Sequence, residues 1–173
     1  MARIAIVGIL MLAVTAGALL YYQQVYAYYT QVQAENADVR LINLVTGEAE
    51  PILFDNFQAI DADSSPIRYR ACFTTPLSLA TLTETFVIRD DAEPRTAPGW
   101  FDCFDAEQIG ADLQGEAIAF LGVENIHYGI DRIVAVYPDG RAYAWHQINE
   151  CGEVVFDGNP VPEGCPARPE STD

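Results

Sequence analysis

The stretch that decides the fold is DRIVAVYPDGRAYAWHQI, residues 131–148. Two apolar runs, 131–137 and 141–148, flank the pair Asp139-Gly140. Asp-Gly between alternating apolar runs is a strong signal for a β-hairpin, because its glycine accepts the positive φ that a tight turn requires. The stretch therefore predicts two antiparallel strands, and with them an antiparallel sheet at the centre of the domain.

The sequence outside this hairpin predicts three more strands. Residues 39–45, 67–73 and 116–121 each show enough alternation for a strand, and in 67–73 the alternation leaves one apolar face. Residues 77–85 suit either a short helix or a strand. We therefore expect an α+β domain, with an antiparallel sheet of about five strands and one or two helices on one face.

One helix start is well marked. Asp105-Ala106-Glu107-Gln108 has the pattern of a capping box, in which Asp105 accepts from a first-turn N–H and Gln108 reaches back. Ile109 and Leu113 supply the buried stripe, and Gly115 is the expected end of the helix.

The N-terminal sequence predicts a membrane helix. Ile4 to Tyr22 is an unbroken run of nineteen apolar residues, long enough as a helix to span a hydrocarbon layer of about 30 Å. Arg3 precedes the run and the next basic residue is Arg40, so the positive-inside bias places the amino terminus in the cytoplasm and the rest outside it. A signal peptide cleaved after Val25-Tyr26-Ala27 is the alternative, although the run is longer than a usual signal sequence, which favours an uncleaved anchor.

Tyrosines crowd the outer end of this run, where amphipathic rings favour the membrane interface. Their helical spacing predicts that the helix continues to about Ala34. The expected membrane-interface residues are Tyr21, Tyr22, Tyr26, Tyr28 and Tyr29.

Four cysteines lie on the exported side, and an even number in an oxidising compartment predicts two disulfides. Three connectivities are possible. We favour Cys72–Cys103 and Cys151–Cys165, because the second pair is close in sequence and would hold the Pro/Gly-rich tail. The first pair requires the Cys72 face of its strand to be covered.

The charge of the chain excludes some function classes. Its 25 acidic residues face nine arginines and no lysine, for a net charge of −16. Nucleic-acid binding depends on basic patches and is therefore not expected. The absence of lysine is typical of a GC-rich genome, which indicates a bacterium and hence the periplasm.

Two patterns in the sequence resemble chemical sites but have a simpler structural explanation. Asp61, Asp63 and Ser65 start a calcium-loop pattern that lacks its glycine and its final glutamate, so an Asx-turn is favoured. His146 and Cys151 have the spacing of a metal or nucleophile pair, but a strand residue before a disulfide cysteine is the simpler reading. No catalytic serine motif or phosphate-binding loop is present, so we expect no enzyme and no cofactor.

Arg68 and Arg70 fall on one face of the strand predicted at 67–73. They are the candidate anion-binding residues, for a carboxylate or phosphate ligand. Ion pairs with neighbouring acids are the more usual role of such arginines in an acidic domain.

Three segments carry a resemblance to a known family: FDNFQAIDADSSPIRYRACF (54–73), YGIDRIVAV (128–136) and WHQINECGEVVFDG (145–158). They resemble an uncharacterised alphaproteobacterial family of short single-span proteins. The resemblance implies the topology and a bacterial origin, and implies no activity for any residue.

The expected organisation is a membrane anchor and juxtamembrane helix (1–34), an exported α+β domain (35–158) and a loosely ordered tail tied by a disulfide (159–173). We expect a single-pass bacterial inner-membrane protein in contact with lipid, acting as a non-catalytic accessory or interaction protein beside a membrane-protein partner. A ligand-sensing or carrier ectodomain is the alternative.

Overall fold

The computed structural model describes residues 2–169. Helix α1 (Ala2–Tyr22) continues into a π-helical turn (Gln23–Ala27). The helical stretch Arg3–Ala27 is long and apolar enough to cross a membrane, and the rest of the chain leaves it uncovered. An anchor and a signal sequence share these properties.

The remaining elements form an α+β domain, as the sequence predicts. In chain order the strands are β1 (Thr30–Val32), β2 (Arg40–Ile42), β3 (Ala49–Pro51), β4 (Asp55–Asp61), β5 (Arg70–Thr74), β6 (Ile118–His127), β7 (Ile130–Val136) and β8 (Arg141–Ile148). The helices of the domain are α2 (Leu79–Thr85), α3 (Ala106–Asp112) and α4 (Glu150–Phe156).

Six strands form one antiparallel sheet in the order β1-β4-β5-β8-β7-β6, and β2 and β3 form a separate hairpin. The predicted central hairpin is confirmed. Ile133 pairs with Trp145 across β7 and β8, and the turn is closed by a 2.9 Å bond from Tyr137 N to Arg141 O. Gly140 has a φ of 86°, the left-handed conformation for which the turn needs a glycine.

Both faces of the sheet are buried, so the prediction of one apolar face was wrong. The β2–β3 hairpin and α2 cover one face, around Leu41, Leu82 and Phe120. The segment before α3, together with α3 itself, covers the other face, around Ile109 and Trp145. Every residue of β7 is buried as a result. The domain therefore has three layers rather than a sheet with helices on one side.

The second cover explains the position of Cys72. Its side chain lies on the face opposite Tyr69 and Phe73, in the same cluster as Phe101 and Phe104. The structure pairs Cys72 with Cys103 and Cys151 with Cys165, the connectivity that the sequence favours. The first disulfide thus joins the central sheet to the segment that covers its second face.

The three domain helices begin at side-chain caps. Ser78 accepts from Thr81 N, which resolves the ambiguous segment as a helix. Asp105 accepts from the N–H groups of Glu107 and Gln108, as predicted. The other half of the predicted capping box was wrong: Gln108 Nε2 donates forward to Asp112 Oδ1 at 2.7 Å. The helix ends at Asp112, before Gly115.

The N-terminal helix is shorter than predicted. The N-terminal helical stretch ends at Ala27, and Thr30–Val32 adds an edge strand to the sheet by pairing with β4 before a 3-10 turn at Ala34–Asn36. The extension to Ala34 was wrong because β4 offers a free strand edge to the chain at this point. The sheet therefore begins inside the segment 1–34 that was expected to be anchor and juxtamembrane helix.

The predicted tail follows a helix that the sequence analysis did not anticipate. Helix α4 starts at the Asn149 cap and packs its first turn against the β6–β7 turn. A Cβ on Gly152 would overlap the carbonyl oxygen of Gly129, so this contact requires a glycine. Beyond it, residues 159–169 contain no regular element and are mostly exposed. The last four positions of the predicted tail, 170–173, lie outside the described residues.

Candidate functional site

The end of the N-terminal helix docks on the domain through Trp100. The indole Nε1 of Trp100 donates to the Val25 carbonyl oxygen at 2.6 Å. The last carbonyls of a helix have no partner within the helix, and here a side chain of the domain supplies one. We call this contact of Val25, Tyr26, Tyr29 and Trp100 the junction.

Aromatic packing reinforces the junction. The ring of Tyr26 stacks on Trp100 with centroids 6.2 Å apart, and Tyr29 meets the same indole edge-on at 6.0 Å. Tyr22 in turn stacks on Tyr26 at 5.8 Å. Such pairs add stabilisation beyond their buried area. The segment after the helix is therefore attached to the domain and not a free linker.

The five tyrosines divide into two groups. Tyr26 and Tyr29 belong to the junction, although Tyr26 stays 44% exposed. Tyr21, Tyr22 and Tyr28 are 62%, 60% and 45% exposed and present aromatic surface away from the domain. Their assignment to a membrane interface stays a prediction.

Arg70 is a structural cross-link. Its side chain is buried, and four of its five N–H groups donate to backbone carbonyls. Those acceptors are Arg95 O at 2.6 Å, Ile67 O at 2.9 Å, Tyr69 O at 2.6 Å and Thr96 O at 3.1 Å. Desolvation on burial lowers the pKa of Arg70 to about 10, so it remains charged at neutral pH. Arg70 thereby anchors the 95–96 backbone to the start of β5.

Arg68 lies in a different setting, because the strand predicted from Ile67 begins only at Arg70. Its guanidinium carbon lies 5.6 Å above the Tyr29 ring, a cation–π contact with the junction. This geometry does not support the expectation that the two arginines bind one small anion together, because Arg70 has only one N–H group that is not already donating.

The two arginines nevertheless line one hollow, together with Arg95. Gln24, Val25 and Tyr29 form the wall on the side of the N-terminal helix. Arg95 was not singled out in the sequence. Its position depends on the Arg70 bonds to the 95–96 backbone, which no local pattern reveals. Trp100 was likewise missed as a docking residue, although an isolated tryptophan in a Pro/Gly-rich loop is a usable signal for a contact.

His146 is the centre of a second polar cluster, inside the domain. Its Nδ1 donates to Pro66 O at 2.6 Å, and its Nε2 accepts from Arg132 Nε at 3.1 Å. The ring stacks on Tyr69 with centroids 4.8 Å apart. Burial, with Arg132 beside it, lowers the pKa of His146 to about 3, and burial raises the pKa of Tyr69. Both ring nitrogens of His146 have hydrogen-bond partners, so we assign the imidazole a structural role.

The other patterns weighed in the sequence do not assemble a site. Cys151 is bound to Cys165 and lies in α4, so it makes no pair with His146. Asp61 is the last residue of β4, and its Oδ1 accepts from Ala62 N at 2.8 Å. Within residues 2–169 no group of three or more His, Cys, Asp or Glu side chains is arranged to hold a metal ion.

Residues 39–166, about three quarters of the chain, match the model of the Family of unknown function (DUF6446). The chain belongs to DUF6446. The DUF6446 match includes both disulfides, the three arginines of the hollow and Trp100, and it begins after β1. No curated protein and no solved structure matches the chain.

Proposed function

We propose that this member of DUF6446 is a membrane-anchored exported protein that acts as a non-catalytic accessory subunit of a membrane complex. In this proposal α1 is an uncleaved single-pass anchor in a bacterial inner membrane, with its amino terminus in the cytoplasm and its domain in the periplasm. Arg3 at the start of α1, the uncharged run that follows it and the two disulfides support this orientation. The resemblance stated above supports an alphaproteobacterial source.

The junction is the observation that carries the proposal. A domain that only needed tethering would gain nothing from a fixed attachment to its anchor. Here the Trp100–Val25 bond and the β1–β4 pairing hold the domain at the end of the helix. This arrangement suits a protein that presents a defined surface to a neighbour in the same membrane.

The exposed tyrosines are the surface that such a neighbour would bind. Tyr21, Tyr22 and Tyr28 are exposed near the helix end, and Tyr21 and Tyr22 meet the junction only through the ring of Tyr26. Aromatic side chains are enriched at the energetic centres of interfaces, since they bury a large area at low conformational-entropy cost. A partner helix beside α1 would cover them.

Co-purification of the full-length protein in mild detergent at native expression tests this proposal. We expect a membrane protein to be recovered in stoichiometric amount, and its recovery to fall at least tenfold in the variant Y21A/Y22A/Y28A. The matched control is V45S, which changes a side chain that is 93% exposed in the β2–β3 hairpin. A clean monomer from wild-type protein would contradict the proposal.

A further inference from the structure

The arginines that follow the N-terminal helix differ in their partners. Arg40, Arg89 and Arg141 form ion pairs with acids. Among the residues that the structure describes, no carboxylate lies within ion-pair distance of Arg68 or Arg95. Arg70 and Arg132 also lack an acidic partner, but both are buried and donate to backbone carbonyls or to His146, and Arg168 lies in the exposed tail. Arg68 and Arg95 differ from these in that both line a hollow of the domain.

These two arginines border the same hollow at the junction. Arg68 lies over Tyr29, and the exposed Arg95 is held nearby because Arg70 binds its carbonyl oxygen. Gln24 and Val25 of the helical segment close the hollow on the other side. The free guanidinium groups therefore lie beside the end of the N-terminal helix.

The position of the hollow relative to the membrane follows from helix geometry. If the hydrocarbon layer ends at the level of Tyr22, the last residue of the apolar run, Val25 lies three residues beyond it, about 4.5 Å along the helix axis. The headgroup region on each side of a bilayer is roughly 5–7 Å thick. The Trp100–Val25 bond ties the domain to the helix at this level. Arg68 and Arg95 consequently fall at the level of the lipid phosphates.

We propose that Arg68 and Arg95 bind the phosphate of an anionic phospholipid in the leaflet where the N-terminal helix ends. The inference rests on the membrane anchoring proposed above. Guanidinium groups bind phosphate oxygens through paired N–H donors, and within residues 2–169 neither guanidinium has a hydrogen-bond acceptor of its own. The contact offsets the repulsion between an anionic surface and a chain of net charge −16. It fixes which side of the domain faces the membrane.

Trp100 offers a direct readout, because its indole binds Val25, a wall residue of the hollow, while Trp145, the other tryptophan, is fully buried in the core. The full-length protein is reconstituted in phosphatidylcholine vesicles with a small fraction of phosphatidylglycerol. Either the phosphatidylglycerol or an equal fraction of phosphatidylcholine carries a spin label near the headgroup. We expect labelled phosphatidylglycerol to quench the tryptophan emission more strongly.

The variant R68Q/R95Q should remove this preference. A basic residue near an anionic surface contributes roughly 1 kcal/mol, a factor of about five in local lipid enrichment for each arginine. The matched control R141Q removes an exposed arginine at the opposite end of β5, where Arg141 pairs with Thr74, and should keep the preference. Neither variant disturbs the Arg70 bonds, since those use the backbone of Arg95.

Three results would overturn the proposal: equal quenching by both labelled lipids in the wild type, an unchanged preference in R68Q/R95Q, or the same loss in R141Q. Inorganic phosphate at millimolar concentration is added as a competitor. Loss of the preference would assign the site to a soluble anion and contradict a lipid site, whereas an unchanged preference supports the lipid. Failure of the partner co-purification with an intact lipid preference would overturn the proposed function alone.

Discussion

His146 is held as a neutral ring by two partners with opposite requirements. Pro66 O needs a hydrogen on Nδ1, while Arg132 Nε needs a lone pair on Nε2. A second proton would face the guanidinium of Arg132. Burial therefore adds to charge repulsion, and together they account for a pKa of about 3 against an ordinary value of 6.5.

This depressed pKa predicts acid sensitivity. Above pH 6.5 the ring is neutral in both states and its contribution to stability is complete. Between pH 6.5 and about 3 the unfolded state takes up a proton that the folded state refuses, so stability falls as the pH falls. At about 1.4 kcal/mol per pH unit, the loss reaches roughly 2 kcal/mol at pH 5.

The measurement is the free energy of unfolding against pH for wild type, H146Q and H127Q. Since other groups also titrate, the difference between variants is the informative quantity. We expect H146Q to flatten the slope between pH 6.5 and 4. We expect H127Q to keep most of it, because the exposed His127 contributes to the lowered pKa of His146 less than burial and Arg132 do. Parallel curves for wild type and H146Q would contradict the assignment.

At the scale of elements, Asn149 both caps helix α4 and binds a buried carboxylate. Asn149 Oδ1 accepts from Gly152 N, and its Nδ2 donates to Asp131 Oδ1 at 2.7 Å. Asp131 is 2% exposed and also accepts from Asn125 N. A single side chain thus fixes the helix start and helps to satisfy a buried carboxylate of β7.

We expect N149A to lower the free energy of unfolding by about 3 kcal/mol, about 1 for the cap and about 2 for the carboxylate that loses a donor. S78A removes a cap with no such second contact and should cost about 1 kcal/mol. Urea unfolding of the two variants under the same conditions gives both values. Equal losses of unfolding free energy in the two variants would show that the Asp131 contact contributes nothing to stability.

The Cys72–Cys103 disulfide joins the sheet to its second cover layer. It closes a loop of 31 residues, for which chain entropy predicts a contribution of about 3–4 kcal/mol. The variant C72A/C103A should therefore unfold at a clearly lower urea concentration. The variant C151A/C165A should lose less, because its bridge ties a mostly exposed tail to α4. The reverse order would contradict this account of the second face.

Sequence predicted the elements whose signals are local. The Asp139-Gly140 turn and the Asp105 cap are set by neighbouring residues, and both were found. Strand β1 depends on the free edge of β4, which is 23 residues or more away in the chain, and was taken for helix. Helix α4 did have local signals in the Asn149 cap and Gly158, but a segment only seven residues long gives little periodicity to read.

The candidate site was harder to predict for the same reason. Arg68 and the tyrosines were visible in the sequence as residue types. Arg95 and Trp100 joined them only through contacts across the fold: Arg70 donates to the carbonyl oxygen of Arg95, and Trp100 donates to that of Val25. Backbone carbonyls are available at every position, so a sequence pattern gives no indication of which one a distant side chain will bind.

At the scale of the whole molecule, the junction decides whether domain and anchor move together. W100F keeps an aromatic ring but removes the N–H that binds Val25 O, a loss of about 1 kcal/mol. W100A also removes the stacking with Tyr26 and Tyr29, which adds about 1–2 kcal/mol. The corresponding increase in local opening is about fivefold for W100F and at least thirtyfold for W100A.

Chymotrypsin cleavage after Tyr26, Tyr28 or Tyr29 measures this opening, with fragments identified by mass. We expect cleavage rates in the order wild type, W100F, W100A, and V45S at the wild-type rate. Rates that do not respond to either Trp100 variant would show that the segment after the helix is not attached to the domain.

Retention of the N-terminal helix in the mature protein is the claim on which the anchored orientation, the junction and the lipid site all depend. The intact mass of the protein extracted from membranes without reductant tests it in one measurement. We predict a mass that includes the N-terminal helix, less four hydrogens for the two disulfides. A mass that lacks residues 1–27 would identify a cleaved signal sequence and contradict the account.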